Sequence, residues 1–177
     1  GTVYVPPGNY LTSTITLKDN VTFHLGPGAR LLGSTSLADY PSLERPGGTV
    51  DYLEYLSYCL INAYGAHHIA LTGEGCVDGQ GATFPYGVEN YNFEDQALAS
   101  KQQSFIRPML LRFTDCHDVT ISNLTLQHAA SWCCNLEKCK EMRIHGVHIF
   151  NRANQNNDGF DLTLCEDVMI SDCHIDC

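Results

Sequence analysis

The segment Cys116-His117-Asp118-Val119-Thr120-Ile121-Ser122-Asn123-Leu124-Thr125-Leu126 decides the fold, because its pattern recurs twice without gaps. The recurrences are Cys139–Ile149 and Cys165–Ile175. In all three segments, apolar residues and one cysteine occupy the fourth, sixth, ninth and eleventh places. Each segment therefore predicts two short strands with alternating burial, joined by a turn that shifts the alternation by one residue.

The spacing of the repeats predicts how these strands stack. Their starts lie 23 and 26 residues apart, and weaker copies of the pattern lie upstream at 21–25 and 69–71. Strands this short can bury a face only if each coil stacks on the next. We therefore predict an all-β fold, a single-stranded right-handed parallel β-helix of roughly seven coils. An antiparallel sandwich also uses many short strands, but it does not require cysteine at one register of three coils.

Composition limits the class of protein. The 177 residues, 44% of them hydrophobic, are sufficient for the core of one domain spanning 1–177. A net charge of −10 argues against a nucleic-acid partner. No apolar run approaches the ~20 residues that a membrane span needs, and the sequence has no signal-peptide pattern. Both chain ends fall inside predicted strands, so both look truncated.

The span of about 40–105 breaks the period with prolines, glycines and a polar run. We expect a loop-rich insertion that projects from one or two coils, and such loops commonly carry function.

The cysteines are expected to be structural. Cys116, Cys139 and Cys165 hold equivalent places on successive coils, where they would act as small buried hydrophobes or, alternatively, come within disulfide reach. The adjacent Cys133 and Cys134 are predicted to point to opposite faces of a strand. The histidines show no metal-ligand spacing on one face, so we expect no metal and no cofactor.

Asn156-Asn157-Asp158-Gly159-Phe160-Asp161 is the most informative segment for chemistry. It places two carboxylates where a turn enters a strand. Asp158 lies at the edge of the turn, with backbone freedom supplied by Gly159, and Asp161 is predicted to face outward. A solvated Asn/Asp turn is the alternative interpretation.

The repeat also predicts a ladder of polar side chains. Arg112, Asn135 and Asp161 fall at the same outward place on three successive coils, so they would line one groove. Trp132 projects below Asp158, where it would either stack on a sugar ring or pack into the core.

Four blocks, in order, give the chain a family resemblance. They are 1–34, the Gly-Glu-Gly-Cys-Val-Asp-Gly-Gln-Gly of 73–81, Arg107-Pro108 followed by 116–132, and Asn156-Asn157-Asp158-Gly159. Together they resemble glycoside hydrolase family 28, the polygalacturonases and related pectin hydrolases. The resemblance spans essentially the whole chain.

The resemblance implies a pectin lyase-like right-handed β-helix and glycosidic hydrolysis with inversion. It implies that Asp158 is a water-activating carboxylate, that Asn156 shapes the site, and that the groove binds substrate. The other essential groups, an Asp-Asp pair, a Gly-His-Gly and an Arg-x-Lys, would follow Cys177. The 177-residue chain alone is therefore expected to be inactive, since inversion needs an acid as well as a base.

Two departures from the family pattern bear on the substrate. Asn135 stands where the family often has a cleft histidine, and Asn157 replaces the middle Thr of Asn-Thr-Asp. The second variant resembles exo-acting and rhamnogalacturonan-directed members.

The resemblance further implies a pectic polysaccharide or oligosaccharide as partner and an extracellular or periplasmic location. The exposed final coil would permit self-association. Two alternatives stay open: a non-catalytic β-helical carbohydrate-binding or adhesin-like protein, and, less favoured, a polysaccharide lyase. Glycan binding without cleavage would distinguish the first, and calcium-dependent activity the second.

Overall fold

A computed structural model describes residues 1–43, 57–84 and 106–177, and within these ranges 17 strands form three parallel sheets. Sheet A contains β1 (Thr2–Val5), β4 (Thr22–Leu25), β7 (His67–Gly73), β10 (His117–Ser122), β13 (Lys140–His145) and β16 (Glu166–Ser171). Sheet B contains β2 (Gly8–Thr12), β5 (Ala29–Gly33), β8 (Cys76–Asp78), β11 (Thr125–Gln127), β14 (His148–Phe150) and β17 (His174–Asp176). Sheet C contains β3 (Ile15–Leu17), β6 (Cys59–Tyr64), β9 (Met109–Thr114), β12 (Cys134–Glu137) and β15 (Phe160–Thr163).

The chain visits sheets A, B and C in turn, and each strand pairs with the strand three places later. The predicted parallel β-helix is thus confirmed. The described strands make five complete coils and two strands of a sixth, against the roughly seven predicted. The count is lower because the connections after β5 and β8 run over 34–58 and 79–108. Two short 3-10 turns, Leu37–Asp39 and Gly81–Thr83, lie at the starts of these connections.

The strand register reproduces the sequence repeat. Val119 pairs with Met142, which pairs with Val168, and Leu126 pairs with Ile149. The side chains at the repeat's apolar places on β10, β11, β13 and β14 are buried to at least 99%. Stacked apolar columns inside the coils therefore form the main core and supply most of the stabilisation.

Two corners of every coil are tight. At the first corner, between sheets C and A, one left-handed residue turns the chain: Asn20, Gly65, Asp115, Lys138 or Leu164, at φ of 59°, 56°, 55°, 53° and 54°. At the second corner, between sheets A and B, Asn123, Gly146 and Asp172 play the same part at 61°, 63° and 52°. Asn and Asp tolerate this conformation better than other non-glycine residues, which explains the polar punctuation of the repeat.

The third corner, between sheets B and C, varies in length. It covers 13–14, 34–58, 79–108, 128–133 and 151–159 in successive coils. The predicted insertion at about 40–105 includes two of these connections, but strands β6, β7 and β8 also lie inside it. Residues 44–56 and 85–105 lie outside the described residues.

All nine cysteines are free thiols. Cys116 and Cys139 are buried, as small hydrophobes would be, and the Cys139 thiol donates to the Phe113 carbonyl at 3.4 Å. The prediction for Cys133 and Cys134 is wrong, because their Sγ atoms lie 3.8 Å apart and both side chains are fully buried. Cys133 lies in the third corner just before β12, so the alternation of a strand does not apply to it.

The outer coils expose apolar side chains. On the last coils these are Leu162, Leu164, Met169, Ile170 and Ile175. Self-association through this surface stays a prediction. Among the described residues, no helix has the length and apolar character to cross a bilayer.

Candidate functional site

The predicted ladder has the expected register in sheet C. Arg112 pairs with Asn135, Asn135 pairs with Asp161, and Asn62 extends the column on the other side of Arg112. Arg112 and Asn135 are only 3% and 5% exposed, whereas Asp161 is half-buried. The first two rungs therefore lie deeper than the open groove that the sequence predicted.

A small apolar cluster accompanies this burial. Cys59 and Met109 form a cluster separate from the main core, and Leu43 and Trp132 pack against it. The Asn135 amide reaches this cluster, with Nδ2 at 3.6 Å from the Met109 sulfur. Trp132 is half-buried, so the arrangement matches the packing interpretation of Trp132 and leaves part of its ring accessible.

Asp158 lies at the third corner that leads into β15, with its side chain exposed. Its backbone is fixed, because its carbonyl accepts hydrogen bonds from the Cys133 amide at 3.0 Å and from Asn151 Nδ2 at 3.3 Å. The left-handed residue of this turn is Asn156, at φ 53°. An added Cβ on Gly159 would stand 3.0 Å from the Cγ2 of Ile175, so a larger residue there requires a small shift of that side chain.

Asp161 has the most unusual electrostatics of the described carboxylates. Burial, together with the nearby charge of Asp158, raises the pKa of Asp161 to about 6. Its Oδ2 is buried and has no hydrogen-bond partner among the described residues. The turn thus places an exposed carboxylate beside one that exchanges its proton close to neutral pH, and such pairs are typical of acid–base sites.

Arg107, known from the sequence only as part of a family block, organises the turn. It is 8% exposed, and its Nη1 donates to the Ala130 carbonyl at 2.9 Å, the Asn154 Oδ1 at 2.9 Å and the Gln155 carbonyl at 2.8 Å. Nη2 lies 3.4 Å from the Asn156 Oδ1. One guanidinium therefore holds two successive third corners together.

Three asparagines also link the 151–159 corner to earlier third corners. Asn157 is buried and donates to the Ala129 and Ser131 carbonyls, both at 2.9 Å. The Asn151 Oδ1 accepts from the Ala129 amide at 2.8 Å, so two of the three asparagines fix the same corner. The Thr-to-Asn departure at 157 thus places an amide where it can bridge two backbone carbonyls.

Asn154 links the 151–159 corner to the third corner two coils earlier in the chain. Its Nδ2 donates to the Gly81 carbonyl at 3.1 Å and the Phe84 carbonyl at 3.2 Å. A Cβ on Gly81 would lie 2.1 Å from the Ala129 carbonyl oxygen, and one on Gly79 would lie 2.7 Å from the His128 carbonyl oxygen. The glycines of the 73–81 block are therefore required for close packing of adjacent third corners.

Asp78 of the same block is also structural. Its carboxylate accepts from Gln127 Nε2 at 2.7 Å and from the Gln80 amide at 2.9 Å, and it lies 3.3 Å from Arg30 and 3.2 Å from His128. Burial alone would raise the pKa of Asp78, but these hydrogen bonds and His128 hold it below its usual value. The residue links three adjacent strands of sheet B and their corners.

Comparison with known proteins gives a family match. The model of "Glycosyl hydrolases family 28" matches residues 6–177. A probable polygalacturonase from Vitis vinifera is 29% identical over 98% of the chain and 34% of its own length. Exopolygalacturonase A from Aspergillus niger is 22% identical over 99% of the chain and 38% of its own length. The chain thus spans just over a third of the length of these relatives.

Solved structures agree on the fold. A family 28 exopolygalacturonase from Yersinia enterocolitica superposes with a TM-score of 0.76, at 23% identity, over 97% of the chain and 37% of that structure. A polygalacturonase from Erwinia carotovora superposes with a TM-score of 0.73, at 17% identity, over 97% of the chain and 47% of that structure. At these identities the likeness supports the β-helix and nothing further.

Proposed function

Because the chain belongs to glycosyl hydrolases family 28, we propose that the whole protein hydrolyses galacturonic-acid-containing glycosidic bonds of pectin with inversion at the anomeric carbon. The named activities of its relatives, polygalacturonase and exopolygalacturonase, support this substrate class. The partner is accordingly a pectic polysaccharide or oligosaccharide, and no cofactor is invoked.

The observation that carries the proposal is the exposed carboxylate of Asp158 on a fixed turn. Its carbonyl accepts hydrogen bonds from Cys133 and Asn151, so the backbone from which the carboxylate projects is held in place. A general base must stand in a fixed place to take a proton from an attacking water. An isolated solvated turn would not need the three buried side chains of Arg107, Asn151 and Asn157 to fix it.

The neighbouring residues receive distinct roles in this proposal. Asp158 activates the water, and the half-buried Asp161 offers its carboxyl group to a sugar hydroxyl through the oxygen other than the buried Oδ2. Asn156 shapes the rim of the turn through its contact with Arg107. In inverting enzymes the acid and base stand ~6.5–9.5 Å apart to leave room for water, and the resemblance assigns the acid to residues after Cys177.

The three other predicted substrate residues, Trp132, Asn135 and Arg112, are proposed to act in two different ways. The accessible part of the Trp132 ring provides a stacking surface for a sugar. Asn135 and Arg112, both buried, form the floor below Asp161 and contribute polarity rather than direct side-chain reach.

Two further proposals follow from the same reasoning. The 177-residue chain alone should release no sugar, because a base without its acid gives little catalysis of inversion. The whole protein is proposed to be extracellular or periplasmic, as an enzyme of an extracellular polymer would be. The nine thiols do not decide the compartment, since none of them is paired.

The test uses the whole protein with Asp158→Asn and, as matched control, Asp167→Asn. Asp167 is also an exposed aspartate, and at φ 54° asparagine suits its backbone. Reducing-sugar release from polygalacturonate and rhamnogalacturonan should fall at least ~10³-fold in the first variant and stay near the wild-type value in the second.

Equal activity of Asp158→Asn and wild type would overturn the role of Asp158. If the wild-type whole protein binds pectic oligosaccharides without cleaving them, the carbohydrate-binding alternative is correct and the hydrolase proposal is wrong.

A further inference from the structure

Arg107 has no catalytic or substrate-binding role in the proposed function. Its guanidinium nevertheless makes several hydrogen bonds to the third corners. Four oxygens of the described residues accept from it, the carbonyls of Ala130 and Gln155 and the amide oxygens of Asn154 and Asn156. All four are neutral.

The four acceptors belong to two segments that no strand pairing joins directly. Ala130 lies in the corner 128–133, and Asn154 to Asn156 lie in the corner 151–159. Asp158 is two residues beyond the last acceptor, and its own carbonyl is bonded to Cys133 in the first corner. Only Asn157 separates Asn156, which contacts Arg107, from Asp158, whose carbonyl is hydrogen-bonded to Cys133. This segment is therefore too short to move independently of either contact.

The geometry points to Arg107 as a positioning residue that sets where Asp158 stands over the neighbouring coil, through the loop that Asn154 to Asn156 form. Arginine suits this part because its planar guanidinium keeps several donors in fixed directions. Lysine would keep the charge, but its side chain is one bond shorter, so its Nζ falls short of the Nη1 position around which three acceptors lie. It also has no second nitrogen to meet the Asn156 Oδ1. The inference rests on the proposed function, because it needs Asp158 to be the base.

The expected consequence follows from the sensitivity of catalysis to position. A misplacement of about 1 Å at a base can cost on the order of 10²-fold in rate while the rest of the substrate still binds. In the whole protein, Arg107→Lys should therefore lower kcat by about 10- to 100-fold and change KM by less than about threefold. Asp158→Asn in the same assay should lower kcat by at least ~10³-fold.

A variant in the core serves as the matched control for a purely structural role of Arg107. Leu71 is fully buried in sheet A, and Leu71→Ala should lower the midpoint of thermal unfolding while leaving kcat per folded molecule near the wild-type value. Both variants are compared at a temperature where circular dichroism shows them folded. If Arg107→Lys behaves like Leu71→Ala, losing thermal stability without losing kcat, the positioning role is wrong.

A second variant keeps the inference testable should Arg107→Lys fail to fold. Asn154→Ala removes the acceptor that Arg107 shares with the Gln155 amide. If the two residues act as one unit, Asn154→Ala alone should lower kcat in the same range, and the double variant should lose little more than the worse single variant. Losses that multiply, or an unchanged kcat in Asn154→Ala, would overturn the inference.

Failure of the inference and failure of the proposed function give different results. An active Asp158→Asn overturns the proposed function, whatever Arg107→Lys does. An inactive Asp158→Asn together with a fully active Arg107→Lys leaves the function standing and rejects Arg107 as its positioning residue. A raised KM at constant kcat would also reject it, since that result indicates contact with substrate.

Discussion

The corners of the solenoid fall into two kinds, and the difference explains where the candidate site lies. The first corner closes with one left-handed residue in every described coil, and the second does so at Gly28, Asn123, Gly146 and Asp172, so both corners stay short. The third corner ranges from two residues at 13–14 to the long connection 79–108. Variation is tolerated at the third corner because the strands on either side are already fixed by two tight turns and a buried core.

The two kinds of corner are also held differently. Where a tight corner closes on a non-glycine residue, as at Asp115 and Asn123, it needs only a backbone that accepts positive φ. The third corners are held by side chains that reach to earlier corners: Asn157 to the 128–133 corner, and Asn154 past it to the 79–84 segment. A site built there can change its outline without changing the coil, whereas a tight corner offers no such freedom.

The largest expected effect on stability compares a glycine from each kind of corner. Gly81→Ala should destabilise the whole protein by about 3 kcal/mol, because the added Cβ would stand 2.1 Å from the Ala129 carbonyl oxygen. Gly65→Ala, at φ 56° with nothing within 4 Å of its added Cβ, should cost only about 1 kcal/mol. Urea unfolding gives both free energies.

Gly81→Ala should also lower activity at temperatures where it stays folded, because Asn154 bonds to the Gly81 carbonyl. Similar costs for the two substitutions would contradict the distinction between a corner needed for packing and a corner needed for φ alone.

The second prediction concerns the third-corner residue that departs from the family pattern. Asn157→Thr should destabilise the protein by about 2 kcal/mol, because one hydroxyl cannot donate to both the Ala129 and the Ser131 carbonyls. At the tight second corner, Asn123→Asp keeps a residue that tolerates positive φ and should change stability by less than about 0.5 kcal/mol. Thermal and urea unfolding measure both.

The repeat in the sequence predicted the tight corners and the columns well. The phase shift at Ser122-Asn123-Leu124 is the second corner, and the register of Arg112, Asn135 and Asp161 was predicted from the same frame. These features are periodic, and periodicity is visible in one sequence because each coil repeats the same burial pattern.

The third corner could not be predicted in the same way. Contacts such as Arg107 to Asn154 join residues 47 apart in sequence, with no period and no strand pairing to announce them. The error at Cys133 has the same origin, since a strand rule was applied to a residue in a corner. The family blocks marked Arg107 and the 73–81 glycines, but only the packing of successive corners shows what they do.

The third prediction compares how pH changes the contribution of two carboxylates to stability: Asp161 at the candidate site, and Asp78, which is hydrogen-bonded between strands of sheet B. The pKa of Asp161 is raised to about 6, so the folded state holds that proton more tightly than the unfolded chain, whose value is about 3.9. The stability from Asp161 is therefore full below about pH 4 and is lost as the pH rises through 6. Asp161→Asn should stabilise the protein by about 1.5 kcal/mol at pH 8, with little gain at pH 4.

The contribution of Asp78 to stability should change with pH in the opposite direction. Its pKa is held below the usual value, so its stabilisation is present above about pH 4 and is lost as the pH falls through the folded pKa. Asp78→Asn should destabilise at pH 8 and do so less at pH 3. Urea unfolding at the three pH values measures both variants, and a stabilising effect of Asp161→Asn that is equal at pH 4 and pH 8 would contradict the raised pKa.

The smallest effect tests whether a tight corner depends on φ alone. Leu164 is the first-corner residue least suited to its backbone, at φ 54° and 72% exposed, whereas the equivalent residues are Gly65, Asp115 and Lys138. A leucine in the left-handed region is strained by roughly 1 kcal/mol, and its exposed side chain gains little burial in return. Leu164→Asn should thus stabilise the whole protein by about 0.5–1 kcal/mol, measured as a shift of the urea midpoint. Met169→Asn, in the extended backbone of β16 at the outward place that Arg143 holds on the preceding coil, should give no such gain. A gain of equal size would mean that removal of exposed apolar surface, rather than relief of backbone strain, accounts for both.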